Sequence, residues 1–486
     1  MSATPPRPAR IAVIGGGISG LAAAYAIAEA RRRGAPIEES LIEASDRLGG
    51  VIRTENIEGF VIEAGPDSFL AEKPEAAALC RELGLGDSLL GSNDSERRTY
   101  ILHRGRLAAL PDGLMLLVPT KLWPMATTPL LPLRDKLRIA FEWFQRPPAG
   151  GRAGDDESVA SFVERHFGRA MVDNIVDPLL AGVYGGDCRK LSIRSVLARF
   201  WEMELKYGSL TRATLRARRE RLRQMRSARK FQPPLFMTLK EGLGRMVEAL
   251  ASRLDNERIR LRTHVHRIEA ARSPGRFKIH FDGGAMEEAD SIVLAMPAHE
   301  AAKLLAGANS PLGGWLGDIS YSSSMTVSLA YNAAARARLP PGFGFLVPRK
   351  ENRRILACTF VHGKFNGRVP EGRALVRCFL GGASDPEALK LSDADVVSIV
   401  RQELRSILDF DAEPLFARVH RWESSMAQYE VGHSSRVAAI ERELQNLPGL
   451  FLAGNAWSGI GISDCIRTGR AAAENAMKLL SARSPQ

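Results

Sequence analysis

No stretch limits the fold of this chain more than Arg10 to Tyr25, RIAVIGGGISGLAAAY. Ile11 to Ile14 read as a buried strand, three glycines make the turn, and Ile18 opens an alanine-rich helix. Gly15, Gly17 and Gly20, with Gly16, Ile18 and Ser19 between them, have the GxGxxG spacing. That spacing lets backbone N–H groups and the positive end of a helix meet a pyrophosphate. Alone the motif is weak, since a glycine-rich turn that binds nothing has the same letters. Glu43 strengthens it by ending a second apolar strand (Leu41, Ile42) about 20 residues past the last glycine, where a dinucleotide fold places a carboxylate for a ribose hydroxyl.

At 486 residues, 45% of them hydrophobic, the chain has room for two or three domains with their own cores. A net charge of +12 favours anionic partners such as acidic lipid, nucleic acid or a carboxylate-rich substrate. No nucleic-acid recognition module accompanies the basic residues, which sets that partner aside. The five cysteines (Cys80, Cys188, Cys358, Cys378, Cys465) are scattered and lack ligand spacing, so reduced thiols, a cytoplasmic location and no metal are expected. The opening MSATPPRPAR has no apolar core and is not read as a signal peptide.

The most apolar segment, Gly113 to Leu133, includes Leu114, Met115, Leu116, Leu117, Trp123, Met125, Leu130 and Leu131. Lys121 and prolines 119, 124, 129 and 132 interrupt it, so it cannot be a spanning helix. A basic amphipathic helix is expected from Leu133 to Phe144, and two readings stay open: peripheral contact with the inner face of the cell membrane, or a helical subdomain packed on the core. A helical region from Asp155 leads past Phe167 to PLLAGVYGGDCRKLS, and Thr211 to Lys230 is strongly basic. A helix is expected over Phe236 to Leu254, then strands at Ile259 to Leu261, Val265 to Ile268 and Phe277 to Phe281. Ser291 to Pro297 is expected to close the nucleotide-binding sheet. Alternating segments (MTVSLAY, ILACTFV, ALVRCFLGG) read as a second, antiparallel sheet, followed by a helix over Asp393 to Leu408.

Two further stretches bear on chemistry. SDRLGGVIRTE puts Arg47 in a glycine turn just after Glu43 and Ala44, as in flavoproteins with two dinucleotide-binding domains, which points to FAD rather than NAD. Near the C-terminus, GLFLAGNAWSGIGISDCIRTG reads as a buried strand, a glycine-rich turn and a helix starting near Ser463. Such a helix start can favour negative charge on a reduced flavin.

Together with AGPDSF (Ala64 to Phe69), PLLAGVYGGD, FGFLVP, RCFLGGA and RWESSMAQYEVGH, these blocks resemble the oxygen-dependent porphyrinogen oxidases of haem biosynthesis, nearly end to end. Those enzymes sit within the FAD-dependent amine oxidase superfamily. The resemblance implies a mixed α/β and α+β fold: an FAD domain from residues 1–70, 235–300 and 446–486, a mixed-sheet substrate domain from 85–112 and 301–445, and a helical, membrane-associating subdomain over 113–234. It places Glu43, Ala44, Arg47 and Val265 on the adenosine half of FAD. Gly65, Pro66, Asp67, Ser68 and Trp422 fall by the isoalloxazine, with Gly461, Ile462 and Ser463 at its pyrimidine edge. For the substrate it offers Arg98 to a propionate, the Gly182 carbonyl to pyrrole N–H groups, and Leu346 and Phe379 as apolar walls. Ala427 stands where the family commonly has proline.

The implied reaction is three two-electron oxidations of a porphyrinogen, dioxygen reoxidising FAD to give hydrogen peroxide each time. Asp67 is the one titratable group expected near the substrate face of the flavin, where it takes or orients a pyrrole proton or merely caps a turn. Protoporphyrinogen IX and coproporphyrinogen III both stay open as substrate, the first as the better-known activity. Lys73, Arg98 and Lys364 are candidate cations for the second. A homodimer stays open as the assembly. The rivals are an amine oxidase or carotenoid desaturase of the same fold, and a flavin-containing scaffold of the haem pathway without turnover. Against the amine oxidase, SSSMTVSLAY carries no lysine.

Overall fold

The first strand, Ala9–Ile14, is buried from Ile11 onward because it is paired in parallel on both sides, by Ile37–Ile42 and by Ser291–Leu294. A strand covered on both faces and both edges must be continuously apolar. Ile259–Arg260 and Leu450–Leu452 complete this parallel sheet at its two edges. Ser291–Leu294 is thus an interior strand, not the closing one, and the C-terminal Leu450–Leu452 takes the edge. A computed structural model describes residues 7–115, 118–148, 156–228, 234–271 and 276–483. Met1, Leu116, Leu117, Asp155 and Lys230, named above, lie outside the described residues.

Two helices, Ile18–Arg32 and Ile462–Arg483, cover one face of the sheet. They approach until a side chain on Gly469 would strike the Ser19 backbone, which their small residues permit. The other face is covered by a three-stranded antiparallel ribbon and the helix Ala298–Leu305.

The expected helix over Phe236 to Leu254 divides. Phe236–Leu239 is a strand between Phe69–Leu70 and Leu89–Gly91, and the helix spans only Gly244–Ala251. Gly242, at φ +105°, makes the break.

A seven-stranded sheet forms the second layer. Its long members are Tyr321–Tyr331, Ala374–Gly381 and Phe416–Ala427. The helix Asp393–Leu408 seals one face, packing Val396, Val400 and Leu404 on Met325, Val327 and Leu329. Strand alternation then sends Thr326 and Ser328 to the opposite face. The polar letters of MTVSLAY are therefore on the face that the helix leaves free.

The helices within residues 122–228 gather around a core of Phe162, Phe167, Ile175 and Leu191. This region also holds a small hairpin, Leu114–Met115 with Val118–Pro119. The amphipathic helix Leu133–Glu142 ends in a buried carboxylate, Glu142, which accepts from the N–H groups of Leu210 (2.6 Å) and Thr211 (3.2 Å). That caps the basic helix Leu210–Ala228 at its electropositive end and fixes the two helices to each other.

Candidate functional site

Every strand of the parallel sheet ends at one edge, where doubly wound folds open a crevice. Gly15 leaves the first strand at φ +108°, and Gly20 lies so close to the Gly15 carbonyl that no Cβ fits between them. A Cβ on Gly17, by contrast, would meet nothing within 4 Å. The N-terminus of Ile18–Arg32, with Ile18 and Ser19 buried in its first turn, therefore opens onto free space, as an anion site requires. The turn at Gly49 closes one side of that space, its N–H donating to the Gly16 carbonyl (2.8 Å).

Glu43 stands beside the glycines, its carboxylate accepting from the N–H groups of Gly16 (2.5 Å) and Ser45 (2.8 Å). Past Ala44, Arg262 donates its N–H to the Ser45 carbonyl (2.9 Å) and Thr263 to that of Glu43 (3.0 Å), which carries the backbone of Val265 to this end. Arg47 does not face the free space. Its guanidinium donates to the carbonyls of Leu48 (3.2 Å), Ile52 (3.3 Å) and Gly50, so it braces the turn, and burial lowers its pKa. A side-chain-free anion cradle with a fixed carboxylate beside it fits a dinucleotide such as FAD.

The C-terminal helix contributes Ile462 and Ser463 at its start. Ser463 Oγ donates to the Lys73 carbonyl (3.2 Å) and accepts from the Ala76 N–H (3.3 Å). Asp464 accepts from Lys73 Nζ (2.5 Å) and the Gly461 N–H (3.3 Å), a carboxylate at a positive helix end.

The free face of the seven-stranded sheet supplies a wall. Leu346, Ala357, Phe379 and Thr326 stand in register in one cross-strand row, and Gly344, Thr359, Arg377 and Ser328 in the next. Leu346 and Phe379, two strands apart, are separated by about 10 Å. A Cβ on Gly182 would lie 3.4 Å from Leu346, so the last turn of the helix Asp177–Tyr184 rests on one end of this row. Carbonyls in that last turn lack intrahelical donors. Three of the four expected substrate contacts are thereby brought together. Arg98 is exposed and lies three residues before Ile101, which pairs with Leu346.

The turn Ala64 to Ser68 is tied to this face. Thr326 Oγ1 (2.7 Å) and Trp422 Nε1 (2.8 Å) both donate to the Ala64 carbonyl, and Arg377 donates to that of Gly65 while stacking on Phe379 at 4.8 Å. After Pro66, Asp67 is not the lone titratable group expected. Lys364 Nζ contacts both its oxygens (2.9 and 3.0 Å), Ser68 Oγ donates to one (2.6 Å), and Arg377 lies 4.0 Å away. Burial alone would raise the Asp67 carboxyl, but Lys364 and Arg377 outweigh it and hold the group well below the usual carboxylate range.

Behind them Arg368 and Glu63 form a buried pair (2.5 Å), with Arg368 also on the Leu239 carbonyl and Glu63 on the Leu243 N–H. Neither pair was visible in the sequence, since the partners are 297 and 305 residues apart. Of the three candidate cations two are already paired, Lys73 with Asp464 and Lys364 with Asp67, while Arg98 is exposed. Elsewhere Asp177, Asp187 and Cys188 converge, contrary to their spacing, but Arg349 bridges both carboxylates (3.3 and 3.2 Å).

Residues 18–477 match the family of flavin containing amine oxidoreductases. The chain is 34% identical to a coproporphyrinogen III oxidase of Bacillus subtilis, over 97% of this chain and 98% of that protein. It is 30% identical to protoporphyrinogen oxidase 1, chloroplastic, of Arabidopsis thaliana, over 93% of this chain and 85% of that one. A solved structure from Exiguobacterium sp. 255-15, assigned to protoporphyrinogen oxidase, superposes with a TM-score of 0.83 at 30% identity, covering 97% of this chain and 99% of its own.

Proposed function

The chain belongs to the family of flavin containing amine oxidoreductases, and from that premise we propose that it oxidises a porphyrinogen of haem biosynthesis to the porphyrin, using FAD and dioxygen. The observation that carries this is the wall of Gly182, Leu346 and Phe379, about 10 Å long and tied through Arg377 and the Ala64 to Ser68 turn to the nucleotide crevice. An apolar wall of that length suits a tetrapyrrole face better than an amine. The strand Tyr321–Tyr331 points Thr326 and Ser328, and no lysine, at the same space.

Bound FAD supplies a two-electron acceptor at the site. The protein's task is to hold a flexible macrocycle against it. Leu346 and Phe379 take the apolar face, the Gly182 carbonyl accepts pyrrole N–H, and Arg98 meets a propionate. In total the porphyrinogen gives up six electrons and six protons to three molecules of dioxygen, which leave as three of hydrogen peroxide.

Coproporphyrinogen III is the substrate we favour, against the better-known protoporphyrinogen. The higher identity to the Bacillus protein and the exposed Arg98 support it. Purified, FAD-loaded protein is expected to show a higher kcat/KM for coproporphyrinogen III than for protoporphyrinogen IX under air, without an artificial acceptor. Three peroxides should appear per porphyrin. Oxidation of neither substrate, or anaerobic bleaching of the flavin by a polyamine, would sink the reading.

Peripheral attachment to an anionic membrane belongs to the same proposal. No described helix is long and apolar enough to cross a bilayer. Yet Leu133, Leu137 and Phe141 form one exposed helical stripe that Trp143 and Phe144 follow, Trp123 is exposed on the preceding helix, and Arg134 and Arg138 lie beside the stripe. An apolar stripe flanked by cations suits the head-group boundary of acidic lipid.

A further inference from the structure

We propose that Asp67 remains a carboxylate throughout turnover, clamped by Lys364 and Arg377, and acts as a fixed negative charge that accepts the pyrrole N–H edge of the substrate, with Lys364 its positioning residue. The inference rests on the porphyrinogen reading above and assigns the charge state that reading leaves open.

Each cation of the clamp is held by further contacts of its own. Lys364 Nζ sits 4.6 Å from the centre of the Phe236 ring and 5.1 Å from that of Phe365, so its stem has little freedom to leave. It divides its three N–H donors between the two oxygens of Asp67 and Ser68 Oγ (3.2 Å). Arg377 approaches from the sheet and is itself fixed by the Gly65 carbonyl and the Phe379 ring. The charged groups that face Asp67 are thus Lys364 and Arg377, with the Glu63–Arg368 pair beyond Arg377. The Asp67 side chain keeps 17% of its surface exposed, and a carboxylate has about four lone-pair sites. Room for one more donor remains, beside the wall that Phe379 starts.

The chemistry calls for an acceptor at this place. Oxidation of a methylene bridge removes a hydrogen with its electron pair, for which FAD, held at the glycine crevice, would be the acceptor. Positive charge then spreads over the two flanking pyrroles, whose N–H groups become acidic. A carboxylic acid would oppose that charge, whereas a carboxylate already in position stabilises it without reorganising. Asp67 is too weak a base to keep the N–H proton, which passes to water. A merely structural ion pair, holding the turn to the sheet, would leave the same distances but no charge requirement.

Lys364→Met, Lys364→Arg, Asp67→Asn and the Lys364→Met/Asp67→Asn double variant separate the two, each checked for FAD content and melting temperature. In the wild type, kcat/KM for coproporphyrinogen III should show no acid limb between pH 5 and pH 8 beyond that of the free substrate. Without the Lys364 cation only Arg377 and the Ser68 hydrogen bond oppose burial, so the Asp67 carboxyl should rise and Lys364→Met should acquire an acid limb that the wild type lacks. Lys364→Arg should restore the flat profile, and the double variant should be slow and flat. An infrared band of a protonated carboxyl should grow in Lys364→Met on acidification and be absent from the wild type and the double variant.

A Lys364→Met profile parallel to the wild type, wild-type kcat/KM in Asp67→Asn, or a protonated-carboxyl band in the wild type that Asp67→Asn removes would each overturn the proposal. If Lys364→Met fails to fold, Lys364→Gln and the wild-type infrared titration carry the test. Failure of the wild type to oxidise any porphyrinogen would instead condemn the functional reading, and the infrared titration would still report the charge on Asp67.

Discussion

Glu43 and Asp67 are both carboxylates at the crevice, and the chain fixes them by opposite means. Glu43 is held by two neighbouring backbone N–H groups, from Gly16 and Ser45, so its position follows from local sequence. The spacing after GxGxxG was enough to find it. Apart from its neighbour Ser68, Asp67 is held by side chains about 300 residues away, and no local pattern announces such partners. The sequence offers Asp67 without the ion partners that surround it. Glu43→Ala leaves two N–H groups without their acceptor and removes the one expected for the ribose. A hydrogen bond to a charged group contributes about 1.5–3 kcal/mol, so FAD affinity should fall roughly tenfold to a hundredfold. Titration of the apoprotein with FAD, followed by flavin fluorescence, measures this. An unchanged dissociation constant would remove Glu43 from the cofactor site.

Elements were legible where one physical rule dominated. The buried strand Ala9–Ile14, the helix Asp393–Leu408 and the alternation of MTVSLAY each follow one period, and each stands where it was expected. Phe236–Leu239 was misread because its strand partners, Phe69–Leu70 and Leu89–Gly91, are remote, while the helical letters that follow it are adjacent. The helix Leu133–Glu142 was readable as amphipathic, but only the structure shows which side is covered. Asp135 and Glu142 are buried, whereas Leu133 is 72% and Phe141 68% exposed. The apolar stripe faces outward because the acidic residues are used inward: Asp135 accepts from the Ala170 N–H (2.8 Å) and Glu142 caps Leu210–Ala228. Burying a large apolar side chain is worth about 1.5–3 kcal/mol, so replacing Trp123, Phe141 and Phe144 by serine should cost well over tenfold in binding to vesicles with anionic lipid. Co-sedimentation should also weaken as salt rises, since a Debye length of about 8 Å at physiological ionic strength screens Arg134 and Arg138. Equal sedimentation of variant and wild type would assign the stripe to another partner.

At the scale of the whole molecule, the two ends of the chain meet around one crevice. Ala9–Ile14 and Leu450–Leu452 lie in the same sheet with Ser291–Leu294 between them, and Ile462–Arg483 packs on Ile18–Arg32. Neither end completes the crevice alone, which the glycine motif could not reveal and the end-to-end resemblance could. A ligand spanning such a joint stabilises it by mass action, about 2.7 kcal/mol at a hundred times its dissociation constant. A chain of this size need not unfold in one step, so the effect belongs to the crevice and not to a single melting temperature. Removing FAD should therefore speed amide exchange in Gly15 to Tyr25, around Glu43 and at the start of Ile462–Arg483. The helix Asp393–Leu408, sealed on the far face of the other sheet, should exchange at the same rate with and without FAD. Hydrogen–deuterium exchange on holo and apo protein, with FAD added back, tests both halves at once. Uniform loss of protection would mean that FAD holds the entire chain together, and unchanged protection at the glycine turn would place the cofactor elsewhere.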